Sequence, residues 1–165
     1  MSTLQRLTPS LWFDSQAEQA AQFYTGIFKN SRIVTINYYG KAGFETHRRP
    51  AGSVMSVLFE LDGHEFTAVN GGPQFKFTEA ISFQVNCEEQ HEIDYYWDRL
   101  SSGGDPRAQQ CGWLKDKYGL SWQIVPSMLP DLFRDASSDG AARAMTAMLK
   151  MKKLDIETLE KAFEG

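Results

Sequence analysis

Uncharged hydrogen-bonding side chains are the groups in this sequence whose spacing could build a binding site. Ser121 and Gln123 alternate with Trp122 and Ile124 in the stretch that runs from Asp116 to Pro126. Because successive side chains of a β-strand point to opposite faces, this stretch predicts a strand with one polar and one apolar face. We expect the polar face to carry the function, with Gln123 at its centre.

Alternation within the other predicted strands adds residues to the same kind of face. The candidate ligand-binding residues are Ser10, Trp12, Thr67, Ser82, Gln84, Ser121 and Gln123, together with the thiol of Cys111. Hydroxyl and amide groups can orient a neutral or weakly polar ligand, and an indole supplies contact area. These groups could equally bond to each other and to water in a half-filled barrel, and the sequence leaves both interpretations open. It assigns no catalytic residue.

Composition and charge narrow the class of protein. The 165 residues are 42% apolar, and their formal net charge of −4 offers no basic stripe for nucleic acid. No apolar run approaches the ~20 residues that span a bilayer, and the N-terminus lacks the pattern of a signal peptide. We therefore expect a cytoplasmic protein with no nucleic-acid or membrane partner. Cys87 and Cys111 are expected to be free thiols, and a structural role is favoured for Cys111 because no histidine neighbours it in the sequence.

The first half of the chain predicts a strand, a helix and three further strands. A strand over 11–13 is followed by Ser15 to Glu18, which fits a capping box, and by an apolar helical face that ends near Asn30. A strand over 32–39 precedes the loop 40–52, and strands over 54–61 and 65–70 are joined by a turn at Asp62 and Gly63.

The second half repeats this pattern at a shift of 72 positions, without repeating the residues. A strand over 81–85, a capping box from Asn86 to Glu89 and a helical stripe lead to the strand that ends at Pro126. We predict an α+β fold in which two βαβββ modules, residues 1–73 and 74–126, form a curved mixed sheet with a central cup. Residues 127–165 are predicted to add C-terminal helices, with apolar stripes at Met145, Met148 and Leu149 and at Ile156, Leu159 and Phe163 behind an Asp155 cap.

Several sequence motifs resemble those of the vicinal oxygen chelate superfamily, which includes glyoxalases, extradiol dioxygenases and antibiotic-resistance (bleomycin-type) binding proteins. They are the duplicated unit, Phe23-Tyr24 on the first helix and Asp116-x-x-Gly119-x-x-Trp122-x-Ile124. More narrowly, the sequences Leu61 to Phe66, Asn70 to Pro73, Glu79 to Phe83 and Gln110 to Lys117 are similar to the PhnB-like branch, whose members often carry a demethylubiquinone methyltransferase label.

The resemblance implies paired βαβββ modules, commonly in a homodimer, and one divalent metal held in the cup by His, Glu or Gln. The corresponding positions are Thr8 or Ser10, Thr67, Ala80 or Ser82, and Gln123. Of these side chains only Gln123 is a candidate ligand, whereas a transition-metal site needs about three or four good donors. We therefore expect no metal and no other cofactor.

Other motifs add little chemistry. His47, beside Arg48 and Arg49, could close over an anionic substrate if the loop 40–52 is a lid, although solvated loop residues are the simpler interpretation. The glycine pairs at 71–72 and 103–104 lack the spacing of a nucleotide-binding loop, so nothing in the sequence supports the methyltransferase label.

Three hypotheses follow for the function. The first is a dimeric small-molecule binding protein that sequesters or delivers an aromatic or hydrophobic metabolite without the usual metal. The second is an enzyme of the same superfamily, of lyase, isomerase or transferase type, that acts on such a metabolite. In it Gln123, Ser82 or Cys111 would polarise or attack the substrate, or a metal would be held by ligands that the motifs do not identify. The third is a structural or partner-binding dimer whose cup is filled by its own side chains.

Overall fold

The computed structural model describes residues 4–165, so the first three residues of the predicted first module lie outside the described part. The chain divides into two compact units, one that ends at Lys76 and one from Phe77 to Gly165. The predicted boundary between residues 73 and 74, and a separate extension over 127–165, stay predictions.

The first unit contains a four-stranded mixed sheet. Its elements are β1 (Ser10–Phe13), α1 (Ala17–Thr25), β2 (Arg32–Tyr38), a short α2 (Phe44–His47), β3 (Val54–Leu61) and β4 (His64–Asn70). The strand order is β1-β4-β3-β2, in which β1 is parallel to β4 and the other neighbours are antiparallel.

Helix α1 covers one face of this sheet. Its small residues Ala17, Ala20 and Ala21 are buried, which lets the Tyr24 ring reach Phe59 of β3 at a centroid distance of 6.4 Å. The helix ends at Thr25, five residues earlier than predicted, and the chain continues as a turn in which Tyr24 accepts backbone bonds from Ile27 and Phe28.

The turn between β3 and β4 forms at the predicted dipeptide. Asp62 and Gly63 both adopt positive φ, 47° and 77°. Two successive residues in this region build the tight turn that matches the twist of two antiparallel strands. The hairpin prediction is confirmed.

The second unit contains a three-stranded mixed sheet and the C-terminal helices. Its elements are β5 (Phe83–Cys87), α3 (Gln90–Ser101), a 3₁₀ helix (Pro106–Ala108), β6 (Trp113–Lys115), β7 (Ser121–Pro126), α4 (Leu129–Leu132), α5 (Asp139–Met148) and α6 (Ile156–Glu164). The order is β5-β7-β6, with β5 parallel to β7.

The predicted fold class is confirmed, as a mixed α+β protein with two mixed sheets and C-terminal helices. The second sheet has three strands where the module pattern predicted four. Residues 102–106, which follow α3, read Ser-Gly-Gly-Asp-Pro, a turn composition with no alternation, and the chain forms the 3₁₀ helix there.

The capping box predicted over Ser15 to Glu18 does not form, because the N-cap residue of α1 is Gln16 and its side chain makes no cap bond. The N-terminus of α1 is capped from the sheet, because Asn70 Oδ1 accepts a 2.8 Å bond from Ala17 N. The box predicted from Asn86 to Glu89 was wrong in position. The box of α3 forms three residues later than predicted, between Glu89 and Glu92. The predicted Asp155 cap of α6 is confirmed, with a 2.7 Å bond from Thr158 N to Asp155 Oδ1.

The C-terminal helices form their own apolar cluster at one end of β7. Its buried members are Val125, Leu132, Ala144, Leu154 and Leu159. The predicted burial of the α5 stripe was wrong in part: Met145 and Leu149 are 38% and 57% exposed. The helix packs instead through Ala141 and Ala144, because their small side chains allow a close approach. No helix within residues 4–165 is long and apolar enough to cross a membrane.

Candidate functional site

Three of the candidate residues share the face of the first sheet that α1 leaves open. Ser10 of β1 pairs in register with Thr67 of β4, and Trp12 lies two positions further along β1 beside Val69. Leu11 and Phe13, at the alternate positions of β1, are buried. The alternation argument therefore placed these three residues correctly on one face.

Trp12 is covered by the segment that follows β4. Its Nε1 donates a 3.0 Å bond to Gly72 O, and its ring meets Phe75 edge-on at 5.0 Å. A Cβ on Gly71 would lie 2.1 Å from the Trp12 ring, so only glycine allows this contact. The indole is thus engaged by its own chain, and a ligand on this face would meet less of it than the sequence suggested.

Four candidates occupy the open face of the second sheet. Ser82 directly precedes β5, Gln84 lies within β5 in register with Gln123 of β7, and Ser121 is two positions before Gln123. Gln123 Nε2 donates a 2.9 Å bond to Ser82 Oγ, which joins the two strands through their side chains. Gln84 is exposed and turns away from this pair, because its Nε2 donates to Asn86 Oδ1 at 2.8 Å.

Ser121 stands apart among these groups. Its side chain is buried, with the residue 1% exposed, and its hydroxyl has no hydrogen-bond partner among residues 4–165. An unsatisfied buried hydroxyl costs about 1–3 kcal/mol. We therefore expect this hydroxyl to form a hydrogen bond with a polar atom from outside the chain, either of water or of a ligand.

Strand β6 brings two residues to this face that the sequence analysis missed. Trp113 is in register with Gln123, and Lys115 with Ser121. Lys115 Nζ lies 2.6 Å from Glu79 Oε1, and this hydrogen bond lowers the pKa of the Glu79 carboxyl. The available signal was the alternation of Trp113 and Lys115 with the buried Leu114.

The motif Asp116-x-x-Gly119-x-x-Trp122 positions β7. The buried Asp116 accepts bonds at Oδ1 from Tyr118 N (2.8 Å) and Leu120 N (3.1 Å), and at Oδ2 from Trp122 Nε1 (2.9 Å). One carboxylate thus fixes both the turn and the first residues of β7. Its role is to hold Ser121 and Gln123 in place.

The cluster of C-terminal helices limits the polar face at one end. Val125, the next residue after Gln123 on the same face, is buried in that cluster. Cys111 belongs to the same neighbourhood: its thiol donates to Met148 O at 3.4 Å, and its backbone N–H donates to Met151 O at 2.9 Å. The structure therefore does not place Cys111 with the hydroxyl and amide candidates.

The glycine pairs serve close packing. Gly71 lies against Trp12, and a Cβ on Gly104 would lie 2.0 Å from Lys115 O. Neither pair is open in the manner of a loop that cradles phosphate.

The basic loop 40–52 is tied to the first unit. The His47 ring stacks on Tyr39 at 4.4 Å and accepts a 2.9 Å bond at Nδ1 from Arg49 N. Arg49 donates from Nη2 to the backbone oxygen and to the carboxylate of Asp14. Arg48 is exposed.

The side-chain donors of the described residues do not assemble a transition-metal site. Among residues 4–165, no three His, Cys, Asp or Glu side chains come together as a group that could hold a metal ion. The open faces also carry two carboxylates, Glu60 and Glu65, which are in register on β3 and β4, but Glu60 is paired with Arg32. Together with the hydroxyl and amide groups and the Lys115 ammonium, this set falls short of the three or four N, S or carboxylate donors that a transition-metal site needs.

Two mixed sheets, each with one face covered by a helix and one open face that carries polar side chains, are the fold of the vicinal oxygen chelate superfamily. The family model described as 3-demethylubiquinone-9 3-methyltransferase matches residues 5–125. The chain therefore belongs to this PhnB-like family, and the resemblance inferred from its motifs is confirmed.

Solved structures agree with this assignment. The chain is similar to the PhnB protein from Bacillus cereus, with 36% identity and a TM-score of 0.62, over 74% of this chain and 99% of that one. Protein PA1353 from Pseudomonas aeruginosa has 17% identity and a TM-score of 0.56, covering 75% and 98% of the two chains. FosX from Listeria monocytogenes, in complex with Mn(II) and sulfate, has 13% identity and a TM-score of 0.50, covering 81% and 99%. The last two show the fold alone, and no curated protein matches this chain.

Proposed function

We propose that the protein binds a small aromatic or hydrophobic metabolite with a hydrogen-bonding group, and that it sequesters or delivers this molecule without converting it. The open face of the second sheet supplies the polar contacts, and Trp113 supplies apolar contact area. The protein acts in the cytoplasm as a homodimer, without the divalent metal of its superfamily.

The unpaired hydroxyl of Ser121 is the observation that carries this proposal. A hydroxyl that can both donate and accept suits a carbonyl, a hydroxyl or an amide of a ligand. The amide of Gln123, held by Ser82 at 2.9 Å, is a second orienting group two positions away on the same strand. Uncharged groups that fix orientation beside an aromatic wall are the usual composition of a small-molecule site.

Native mass spectrometry of freshly purified protein, with elemental analysis, is the first test. A dimer that carries an organic adduct and no stoichiometric metal is the expected result. One transition metal per chain would overturn the metal-free part of the proposal.

The Ser121→Ala variant tests the role of the hydroxyl. Removing an unpaired buried hydroxyl should leave the ligand-free protein as stable as before, or more stable by up to about 1 kcal/mol, while the captured ligand is lost. The matched control is Ser56→Ala on the open face of the first sheet, where the hydroxyl accepts a 3.3 Å bond from Asn37 Nδ2. That control should keep the ligand. Urea unfolding and adduct mass measure both effects, and full ligand retention by Ser121→Ala would contradict the proposal.

An enzyme of the same superfamily is the second candidate, because the description of the matching family names a methyl transfer. In that case the captured molecule is converted when the protein is incubated with cell extract metabolites, and Gln123→Ala slows the conversion. Recovery of the adduct at unchanged mass, in wild type and variant alike, would favour binding alone.

A further inference from the structure

A separate cavity of about 180 Å³ lies in the first unit, next to the beginning of α1. Residues from α1, from the end of loop 40–52 and from the adjoining strands line it, among them Ser15, Glu18, Gln19, Arg49, Ser53 and Asn70. We call it the Arg49 cavity.

The Arg49 cavity is on the helix side of the first sheet, whereas the open face carries Ser10 and Thr67. Asn70 shows on which side the cavity lies. Its side chain points toward α1, because it accepts a bond from Ala17 N at the start of that helix, and it also donates to Val54 O at 3.1 Å. Thr67 is three positions earlier on β4 and therefore points to the opposite face. A ligand here would occupy a different site from the one proposed above.

Arg49, which lines this cavity, has donors that no residue of the described part of the chain uses. Its side chain is 20% exposed, and its Nη2 alone serves Asp14, at the backbone oxygen and at Oδ1. Within residues 4–165, Nε and Nη1 have no hydrogen-bond partner, so three of the five N–H groups remain. Two parallel N–H groups of a guanidinium are the preferred donors for a carboxylate.

Glu18 supplies the opposite charge on the same cavity wall. It is partly buried, and in the described part of the chain it forms neither an ion pair nor a side-chain hydrogen bond, with Arg49 or with any other residue. The cavity therefore contains one cation and one anion that are not paired with each other. A ligand that carries both an amine and a carboxylate would complement both.

The volume limits the size of such a ligand. At about 180 Å³ the cavity is smaller than the roughly 300–1,000 Å³ of pockets that hold drug-sized ligands, which favours a molecule of amino-acid size.

We propose that the Arg49 cavity is a binding site for a small amino carboxylate zwitterion of amino-acid size, with its carboxylate on Arg49 and its amine on Glu18. This places a second small-molecule site on the first unit, independent of the polar face of the second sheet.

Calorimetric titration with L-serine as the probe tests the proposal, with acetate and methylamine as probes that carry only one of the two charges. We expect L-serine to bind with a dissociation constant of about 1 mM or tighter, and each half-probe to bind about tenfold more weakly. Absence of L-serine binding at about 10 mM would overturn the proposal, and so would equal affinity for acetate.

Matched variants locate the site. Glu18→Gln and Arg49→Gln should each weaken L-serine binding by about tenfold. The controls Glu45→Gln and Arg48→Gln, at exposed residues of the loop 40–52, should leave it unchanged. Asp14→Asn removes the ion pair of Arg49 but keeps its guanidinium, and should change binding by less than about twofold. Loss of binding in Asp14→Asn equal to that in Arg49→Gln would show that loop anchoring alone is responsible and would overturn the direct contact.

Gln123→Ala separates the two sites. This variant should leave L-serine binding unchanged even if it abolishes binding of the metabolite at the polar face of the second sheet. Loss of L-serine binding in this variant would overturn the location on the first unit.

Discussion

The open faces of the two sheets are built on one pattern but differ in how their polar groups are satisfied. On the first sheet, Asn37 bonds to Ser56 across β2 and β3, and Trp12 donates to Gly72. On the second, Gln123 bonds to Ser82 while the hydroxyl of Ser121 has no partner within residues 4–165. Within residues 4–165 the first face has no buried side-chain nitrogen or oxygen atom without a partner, whereas the second face has one, the hydroxyl of Ser121. A repeated topology therefore does not imply two equivalent sites.

The segments after the last strand of each unit differ in the same way. After β4 the chain turns back at Gly71 and covers Trp12 on the open face. After β7 the chain leaves to form helices that bury Val125 at the end of the face and leave Gln123 partly exposed. The second unit therefore leaves Gln123 partly accessible, whereas Ser121 on the same face is buried.

The largest expected effect concerns the turns that precede β4 and β7. Asp116→Ala removes a buried carboxylate that accepts three bonds, and it should lower the free energy of unfolding by about 4 kcal/mol. Asp62→Asn, in the exposed turn of the first unit, should change it by less than about 0.5 kcal/mol, because Asn tolerates positive φ. Urea unfolding measures both, and similar values would contradict the different roles of the two turns.

Alanine substitutions at three glycines should destabilise the protein in an order set by the atoms that each new Cβ would contact. Gly104→Ala places a Cβ against the backbone oxygen of Lys115 and should cost about 3 kcal/mol, whereas Gly71→Ala meets the side chain of Trp12 and should cost about 1–2 kcal/mol. Gly40→Ala meets nothing within 4 Å and should be neutral or slightly stabilising. Thermal unfolding ranks the three, and the reverse order for Gly71 and Gly104 would count against these contacts.

The two helix caps differ because one is supplied by the sheet and the other by the helix itself. Asn70→Ala should cost about 2 kcal/mol, since it leaves both Ala17 N and Val54 O without their bonds in a buried place. Glu92→Ala removes an exposed capping-box bond of α3 and should cost about 1 kcal/mol or less. Chemical denaturation decides, and an Asn70→Ala cost no larger than that of Glu92→Ala would break the comparison.

The smallest effect on the free energy of unfolding at neutral pH is expected for Cys87→Ala, on the second sheet. Burial raises the pKa of its thiol to about 12. The unfolded chain loses this proton at lower pH than the folded chain. The free energy of unfolding should therefore be constant below pH 9 and should fall as the pH rises above 9, by up to about 1.4 kcal/mol per pH unit. Unfolding of wild type and Cys87→Ala from pH 7 to 10 measures the slope, which should be flatter in the variant.

Local patterns predicted most of the fold because their physical causes are local. The hairpin at Asp62 and Gly63 needs only residues that accept positive φ, and the faces of β1 and β7 follow from alternation. The cap of α1 could not be found this way, because its acceptor, Asn70, is 53 positions away in the chain. The exposure of Met145 likewise depends on which side of α5 has a neighbour to pack against.

The candidate site was predicted in part for the same reason. Ser82 and Gln123 were assigned to one face, and the structure joins them by a hydrogen bond. Lys115 was missed because β6 has only three residues, too short for its alternation to stand out. The Arg49 cavity requires residues from a loop, a helix and a strand to meet, and no spacing in the sequence indicates that.

The backbone bonds from Cys111 and Gly112 to Met151 and Lys152 have a consequence for the order of events during synthesis. The first unit has all its strands once residue 70 has emerged from the ribosome, and domains generally fold from the N-terminus as they appear. The second unit cannot close its apolar cluster until Leu159 is available. The first unit can therefore fold before the second, whose apolar cluster is completed only with the last helix.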